Sequence, residues 1–457
     1  MRLFKDEQTN RRFSRMQWRM LFATMIGYTL FYFMRNNFSF AMPGLEQDCG
    51  ISKPMLGNFI FWGGLVYGVS KFVNGIVGDK VDPKKMFCLG LLACVLVNLA
   101  FGFAPQIAAL AGNGDGAPAG SVAALAWVFG LLLVASQFFQ GTGFPPCAKL
   151  IAFWVPPGEL ATKMSVWNTS HSVGGGLVAV ICGAIMGLGT IGAANQGVGM
   201  WRWCFWAMAA LGALGLLLML FWLPGTPRQE GLPDIPGTDG AKKQAGRSAA
   251  GGGDGDAAGA FRMVFGNPVI WMLGLINFTI NAVRALISWW GPTMLQEAKG
   301  FDPGTTGTVI MLVEFSGVAG MLFSGWATDR FFGGRAPRLC VFLMALTAGL
   351  FAAFWFVPSR IIGAAALCAG GFCLYGPQAL TGVTATNMAT KRFAGTAIGF
   401  ISLFSYIGVS VAGKVCGNLV QSSGGWRLPI LVMVATAAVG ATLFACLWCV
   451  RANAYDE

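Results

Sequence analysis

Apolar residues gather in long blocks along this chain, and polar residues collect between them. An α-helix needs about 20 apolar residues to cross a bilayer. Twelve stretches meet that length, near 20–41, 55–77, 86–104, 122–146, 165–190 and 201–223, then 266–288, 306–327, 338–357, 361–385, 395–417 and 427–450. Between the sixth and seventh lies 224–265, rich in Gly, Ala, Asp and Lys and ending GGGDGDAAGA. Such a composition buries no core and reads as a flexible linker. The pattern therefore predicts a short tail over 1–19, a six-helix bundle over 20–223, a linker over 224–265, a second six-helix bundle over 266–450 and a tail over 451–457. The Gly, Ala and Pro-rich connection at 105–121 is assigned no chemistry.

The two bundles are one pattern written twice. Arg35 and Arg284, each inside an apolar stretch, are 249 residues apart. Asp79 and Asp329, which end the second and eighth stretches, are 250 apart. A common offset means that the two arginines come from matching helices. Parallel six-span repeats, with a binding region near mid-membrane, are the layout of major-facilitator transporters. The fold class expected is all-α membrane, with twelve transmembrane helices in two pseudo-symmetric bundles.

Composition agrees. Hydrophobic residues make up 55% of 457 and charged residues 11%, whereas soluble domains carry about 25% charged. The net charge of +12 would suggest nucleic acid in a soluble protein. Here topology accounts for it. Most Lys and Arg fall in the tails, the linker and the even-numbered loops, and the odd-numbered loops carry few. By the positive-inside rule both termini and the linker face the cytoplasm. The first 20 residues are basic without an apolar core, so no cleavable signal peptide is expected. Twelve cysteines are scattered without histidine neighbours and read as small core residues, with no metal site and no cofactor expected. No Walker motif or metal-ligand set points to an enzyme.

The chemistry lies in the intramembrane cations. An arginine at mid-bilayer costs roughly 2.5 kcal/mol or more, so it needs a partner. Arg35, Lys71 and Arg284 have no carboxylate in their own spans, and Glu314 is the one acid inside the apolar stretches. A guanidinium offers a two-pronged, permanently charged donor to phosphate or carboxylate. Two of them form a clamp for a dianion. The competing reading pairs one arginine with Glu314 as internal glue, or lets Lys71 snorkel to the surface. His171, the single histidine, sits in a polar, glycine-rich stretch beside Asn168. There it is expected to line a cavity and to take up a proton as a phosphate arrives. Only six tyrosines accompany 37 phenylalanines. Tyr28, Tyr32, Tyr67, Tyr375 and Tyr406 all lie in spans, where a phenol needs a hydrogen-bond partner. Cavity lining and interfacial packing are both open for them, and Asn281, one turn before Arg284, joins the set.

Gly75-Ile-Val-Gly-Asp79-Lys80 and Gly325-Trp-Ala-Thr-Asp329-Arg330 resemble the loop motif of the major facilitator superfamily. The first copy departs from it after Lys80. A gating contact or a surface ion pair are the two readings for each aspartate.

Longer motifs resemble the organophosphate:phosphate antiporter family. They are Tyr32-Phe-Met-Arg35-Asn-Asn-Phe38, Tyr67-Gly-Val-Ser-Lys71, Gln140-Gly to Cys147, Trp167-Asn to His171, Val283-Arg284 and Tyr375-Gly-Pro377. The resemblance covers nearly the whole chain. It implies exchange of an organic phosphate for inorganic phosphate across a bacterial inner membrane by a monomer. By matching motif, Arg35 and Arg284 would bind the phosphoryl group and Lys71 and His171 would assist. Tyr28, Tyr32, Tyr67, Asn168, Tyr375 and Tyr406 would line the path. Lys414 aligns with a family lysine whose aspartate partner is replaced here by Val411. It would suit a substrate carboxylate or simply reach the headgroups. The family also includes a hexose-phosphate receptor, which would signal to a membrane histidine kinase with the same site residues.

Overall fold

The computed structural model describes residue 4, residues 6–111, 121–191, 199–233, residue 235, residues 266–388 and 394–450. Most of the expected linker and the final tail fall outside those residues. Among the described residues the regular structure is helical throughout. In chain order the helices are α1 (Glu7–Cys49), α2 (Lys53–Lys80), α3 (Pro83–Gly102), α4 (Ala104–Ala111), α5 (Val122–Gln140), α6 (Phe144–Trp154), α7 (Pro157–Ile191) and α8 (Met200–Trp222). They continue as α9 (Pro268–Lys299), α10 (Pro303–Phe331), α11 (Ala336–Phe356), α12 (Arg360–Met388), α13 (Ala394–Ser423) and α14 (Arg427–Cys446).

Eleven segments among the described residues are long and apolar enough to cross a membrane. The first expected span, inside α1, is not one of these, because Tyr28, Tyr32, Arg35, Asn36 and Asn37 dilute its hydropathy. That helix also runs well beyond its predicted limits, from Glu7 to Cys49. The fourth span is two helices rather than one. Gly141, Thr142 and Gly143 separate α5 from α6, and prolines at the start of α6 supply no amide hydrogen to bridge the gap. The glycines fit close neighbours: a Cβ at Gly141 would strike Ser70 Oγ, and one at Gly143 would come within 3.2 Å of the Phe31 ring. The 105–121 connection holds α4 in its described part.

Local chemistry sets the ends. Asp82 caps α3 by accepting from Lys85 N at 2.9 Å, with Pro83 at the first helical position. Asp302 and Pro303 start α10 in the same way, the carboxylate accepting from Thr305 N at 2.8 Å. Gly300 ends α9 in the left-handed region at φ 63°, where a side chain would be strained.

The chain divides into two compact units. One comprises Met1–Asn37, Val66–Gly175 and Arg202–Ala250, and the other Phe38–Leu65, Gly176–Trp201 and Gly251–Glu457. Four of the borders fall inside helices, in α1, α2, α7 and α8, and the fifth, between 250 and 251, falls within 224–265.

In the first unit, Phe31 of α1 packs on Phe87 of α3 at 5.3 Å. Gly174 of α7 lets that helix close on α1, where an added Cβ would lie 3.0 Å from Thr29 O. The start of the expected linker is tied down here. Trp154 Nε1 donates to Gly225 O at 2.8 Å, Arg12 Nη2 to Glu230 O at 3.1 Å, and Gln229 Nε2 to Asp82 Oδ2 at 2.5 Å. Burial works against ionisation of Asp82, but the bonds from Gln229 and Lys85 outweigh it and hold its carboxyl below the usual carboxylate range.

In the second unit, two glycine seams bring backbones together. A Cβ at Gly183 of α7 would lie 2.7 Å from Pro303 O and 3.0 Å from Gly307 Cα of α10. One at Gly57 of α2 would lie 3.0 Å from Gly413 O and 3.1 Å from Lys414 Cα of α13. Beside the second seam, Lys53 Nζ contacts Glu46 Oε1 at 2.6 Å, Glu46 Oε2 at 2.7 Å and Glu297 at 3.1 Å. Trp426 Nε1 donates to Glu297 Oε2 at 2.8 Å.

Most cysteines are buried, as expected of small core residues. Cys446 and Cys449 are exposed at the end of α14 and stand in a C-x-x-C spacing, a departure from the scattered core pattern. The helix ends at Cys446, and both thiols are exposed among the described residues.

Candidate functional site

The first unit gathers cations over aromatic rings. Arg35, half-buried on α1, lies over Tyr67 of α2 at 4.1 Å and over Tyr32 of its own helix at 5.5 Å. It also hydrogen-bonds the Tyr67 hydroxyl. Lys71, one turn beyond Tyr67, sits 5.6 Å from the same ring and 5.0 Å from the Phe144 ring of α6. Two cations thus share one tyrosine. A ring face attracts a cation by about 0.5–2 kcal/mol, far less than a carboxylate would. The arrangement holds both cations against the same phenol.

His171 of α7 stacks toward Tyr32 at 5.8 Å between centroids. Its Nδ1 faces the carbonyl of Asn168, and Ser172 Oγ lies 3.2 Å from Nε2. A carbonyl only accepts, so Nδ1 carries a proton toward Asn168, and the Ser172 hydroxyl can accept from or donate to Nε2 as the ring gains or loses its second proton. Tyr28 continues the aromatic wall, 5.4 Å from Tyr32 and 4.7 Å from Trp167. Tyr28 and Tyr67 are buried and Tyr32 is half-buried. The Asn168 side chain is on an exposed face, and its main-chain carbonyl is the atom that touches His171.

In the second unit, Arg284 of α9 lies 4.6 Å from the Tyr375 ring of α12, and its Nε donates to the Tyr375 hydroxyl at 3.2 Å. Glu314 of α10, buried, hydrogen-bonds the same hydroxyl. Arg284 and Glu314 are therefore bridged by a phenol, an arrangement that neither sequence reading anticipated. Gly317, one turn from Glu314, gives the Tyr375 ring its space, since a Cβ there would stand 2.7 Å from it. Asn281 donates to Asn277 O at 2.8 Å, and Asn277 ties α9 to α13 through Ser405 Oγ at 2.6 Å. Asn281 thus supports the arginine helix from within. Tyr406 is half-buried on α13. Lys414 on the same helix stacks over Phe61 at 5.1 Å.

Asp329 is exposed and lines a cleft of about 340 Å³ with Thr328, Arg335, Thr384 and Met388. The Asp79 side chain lies outside the described residues. No cluster of histidine, cysteine or acidic residues fit to hold a metal occurs among the described residues.

Sequence reasoning passed over Gln137 of α5. Its side chain is 1% exposed, and its Nε2 has no hydrogen-bond partner among the described residues. Two glutamines one turn apart, Gln137 and Gln140, in an apolar stretch were the available signal.

The chain matches the Major Facilitator Superfamily over residues 24–413. It is 31% identical over 443 residues to a probable hexose phosphate transport protein of Chlamydia pneumoniae, covering 94% of this chain and 90% of that one. It is also 31% identical over 409 residues to the membrane sensor protein UhpC of Salmonella typhimurium, covering 87% and 84%. In three dimensions it resembles a bacterial homologue of the human lysosomal transporter Spinster, with a TM-score of 0.72 and 16% identity over 94% of this chain and 96% of that one. The helices, the duplicated arginines and these likenesses together place the chain in the organophosphate:phosphate antiporter family of the major facilitator superfamily, among transporters of organic phosphates.

Proposed function

We propose that this protein exchanges an organic phosphate ester for inorganic phosphate by alternating access, with Arg35 and Arg284 both binding the phosphoryl group. The observation that carries the reading is that each repeat holds one half-buried arginine over a tyrosine. The assignment of both to one ligand rests on the sequence repeat. A phosphate dianion would accept the two-pronged donors of both guanidinium groups. Lys71 and His171 assist, Lys71 by charge and His171 by accepting a proton. Tyr28, Tyr32, Tyr67, Asn168, Asn281, Tyr375 and Tyr406 line the path. Lys414 adds a charge suited to a substrate carboxylate, and Asp79 and Asp329 act in gating.

Obligate exchange follows from electrostatics. Without ligand, drawing the cations together is costly. With phosphate bound the cost falls, and the occupied protein passes between its two open forms. A ligand drives such a step only by binding the intermediate better than either end state. The protein is a monomer, and the distribution of Lys and Arg supports a multi-pass inner-membrane protein with both termini in the cytoplasm.

A receptor working with a membrane kinase is the second reading, favoured by the likeness to a membrane sensor protein. The deciding experiment is uptake of labelled inorganic phosphate into vesicles preloaded with phosphate. The competing solutes are glucose-6-phosphate, glycerol-3-phosphate, 3-phosphoglycerate and phosphoenolpyruvate. Exchange blocked by one of them supports the antiporter and names its substrate. Binding of a sugar phosphate without exchange moves the reading to the receptor.

A further inference from the structure

Three buried amide side chains hold the turn of α1 that carries Arg35. Gln140 Nε2, from α5, donates to Phe31 O at 2.9 Å. Asn98 Nδ2, from α3, donates to Met34 O at 3.3 Å and to Cys94 O in its own helix at 3.0 Å. Asn37 Nδ2 donates to Asn98 Oδ1 at 2.7 Å and to Cys204 O of α8 at 3.1 Å. All three side chains are at most 5% exposed.

These carbonyls already have work. In a regular helix Phe31 O accepts from Arg35 N–H, four residues on, and Met34 O belongs to the peptide just before Arg35. The helix needs no further donors for its own integrity. An amide placed in an apolar interior is costly unless it is matched. A chain that places three of them on one turn, from α3, α5 and α1 itself, gains fixed geometry. Around the same turn the side chains of Leu30 and Met34 fit against Gly215 and Gly212. The amides add directional bonds to this apolar fit and so fix the rotation and depth of α1 more tightly.

We propose that Asn98 and Gln140 are positioning residues for Arg35, and that their bonds set the rotation and depth at which its guanidinium meets a phosphoryl group. This rests on the reading of Arg35 as a phosphate ligand. A displacement near 1 Å in a two-pronged contact is worth up to about 100-fold. Gln17 provides the internal control. It is a buried amide of α1 that donates to Trp154 O at 2.5 Å, and it lies five turns from Arg35.

The test is the affinity of the full-length protein for inorganic phosphate, measured calorimetrically, with thermal stability recorded alongside. Asn98→Leu and Gln140→Leu are expected to weaken binding about tenfold, and Gln17→Leu to lower stability with binding unchanged. In an Arg35→Lys background, which lacks the fork to be aimed, Asn98→Leu is expected to weaken binding less than twofold. Equal loss in both backgrounds overturns the proposal, as does unchanged binding in Asn98→Leu or a loss in Gln17→Leu as large as theirs. If the leucine variants do not fold, Asn98→Ala and Gln140→Met remove the donors without adding bulk or charge and carry the same expectations. Full binding by Arg35→Ala would overturn the reading of Arg35 itself. Loss in Arg35→Ala with full binding in Asn98→Leu would overturn the positioning role alone.

Discussion

Replacing Lys53 by methionine removes the centre of an ion cluster in the second unit. The side chains of Lys53, Glu46 and Glu297 are 11%, 29% and 39% exposed. Both carboxylates lie within 3.1 Å of one Nζ, which places their nearest oxygens about 6 Å apart at most. With the cation gone they repel. At that distance the repulsion is about 0.7 kcal/mol in water and about 3 kcal/mol at an effective dielectric of 20. Breaking a fully buried pair costs about 3–5 kcal/mol, and the partial exposure of both glutamates reduces that. Lys53→Met is therefore expected to destabilise the protein by about 2 kcal/mol. Adding Glu46→Gln should recover most of the loss, because the second charge then has nothing to repel. Unfolding of the purified protein in detergent, followed through the parent, both single variants and the double variant, measures the coupling. Salt should weaken it only partly, since the ammonium is shielded from solvent ions. A Lys53→Met variant as stable as the parent, or losses that add to within about 0.3 kcal/mol, would refute the reasoning.

Arg35→Lys and Arg284→Lys should each abolish exchange in the vesicle assay and weaken phosphate binding about 10–100-fold, because a point charge replaces a two-pronged donor; full activity in either would remove that arginine from the clamp. His171→Ala should slow exchange more than it weakens phosphate binding, and an unchanged exchange rate would return His171 to a packing role. Asp82→Ala should cost about 1 kcal/mol through the lost helix cap and should speed proteolysis within 224–233, which Gln229 ties to Asp82. Because folding lowers the Asp82 pKa from 3.8, its carboxylate adds stability above about pH 4 and loses it as pH falls through the lower folded value. Unfolding curves of parent and variant should draw together in acid, and a gap that widens on acidification would contradict the assignment.

The residues over Tyr67 were legible in the sequence because each breaks a rule. Arg35 and Lys71 are cations in apolar stretches, and Tyr67 is a phenol where this chain elsewhere prefers phenylalanine. Their meeting followed from the fold, which brings α1, α2 and α6 together. The phenol bridge from Arg284 to Glu314 was not legible, since it depends on the angular position of three helices that share no motif. The break between α5 and α6 lay in plain view as Gly141-Thr142-Gly143 before two prolines, yet hydropathy passes through it undiminished. The length of α1 was hidden for the opposite reason: its ends are polar, and hydropathy reports only what is apolar. The anchoring of 224–233 depends on Arg12, Asp82 and Trp154, which are distant in sequence and leave no local trace in a stretch of proline, glycine and polar residues.

The glycine seams of the second unit have a mechanical consequence. Where Gly183 meets Pro303 and Gly307, and where Gly57 meets Gly413, the touching surfaces are backbone. Interlocked side chains behave like meshed teeth, which must lift out of register before helices can part. Backbone against backbone has little corrugation, so parting or sliding along these lines requires little change of rotamer, with Ile60 over Gly413 as a side-chain tooth in the second seam. Friction along the seams is then low, and the lysine with its two glutamates acts as a detent on an otherwise smooth track. Enlarging a seam glycine would roughen the track, while removing the lysine would leave it smooth and release the stop. The first change should act on the speed of a conformational step, and the second on how long the protein rests on one side of it.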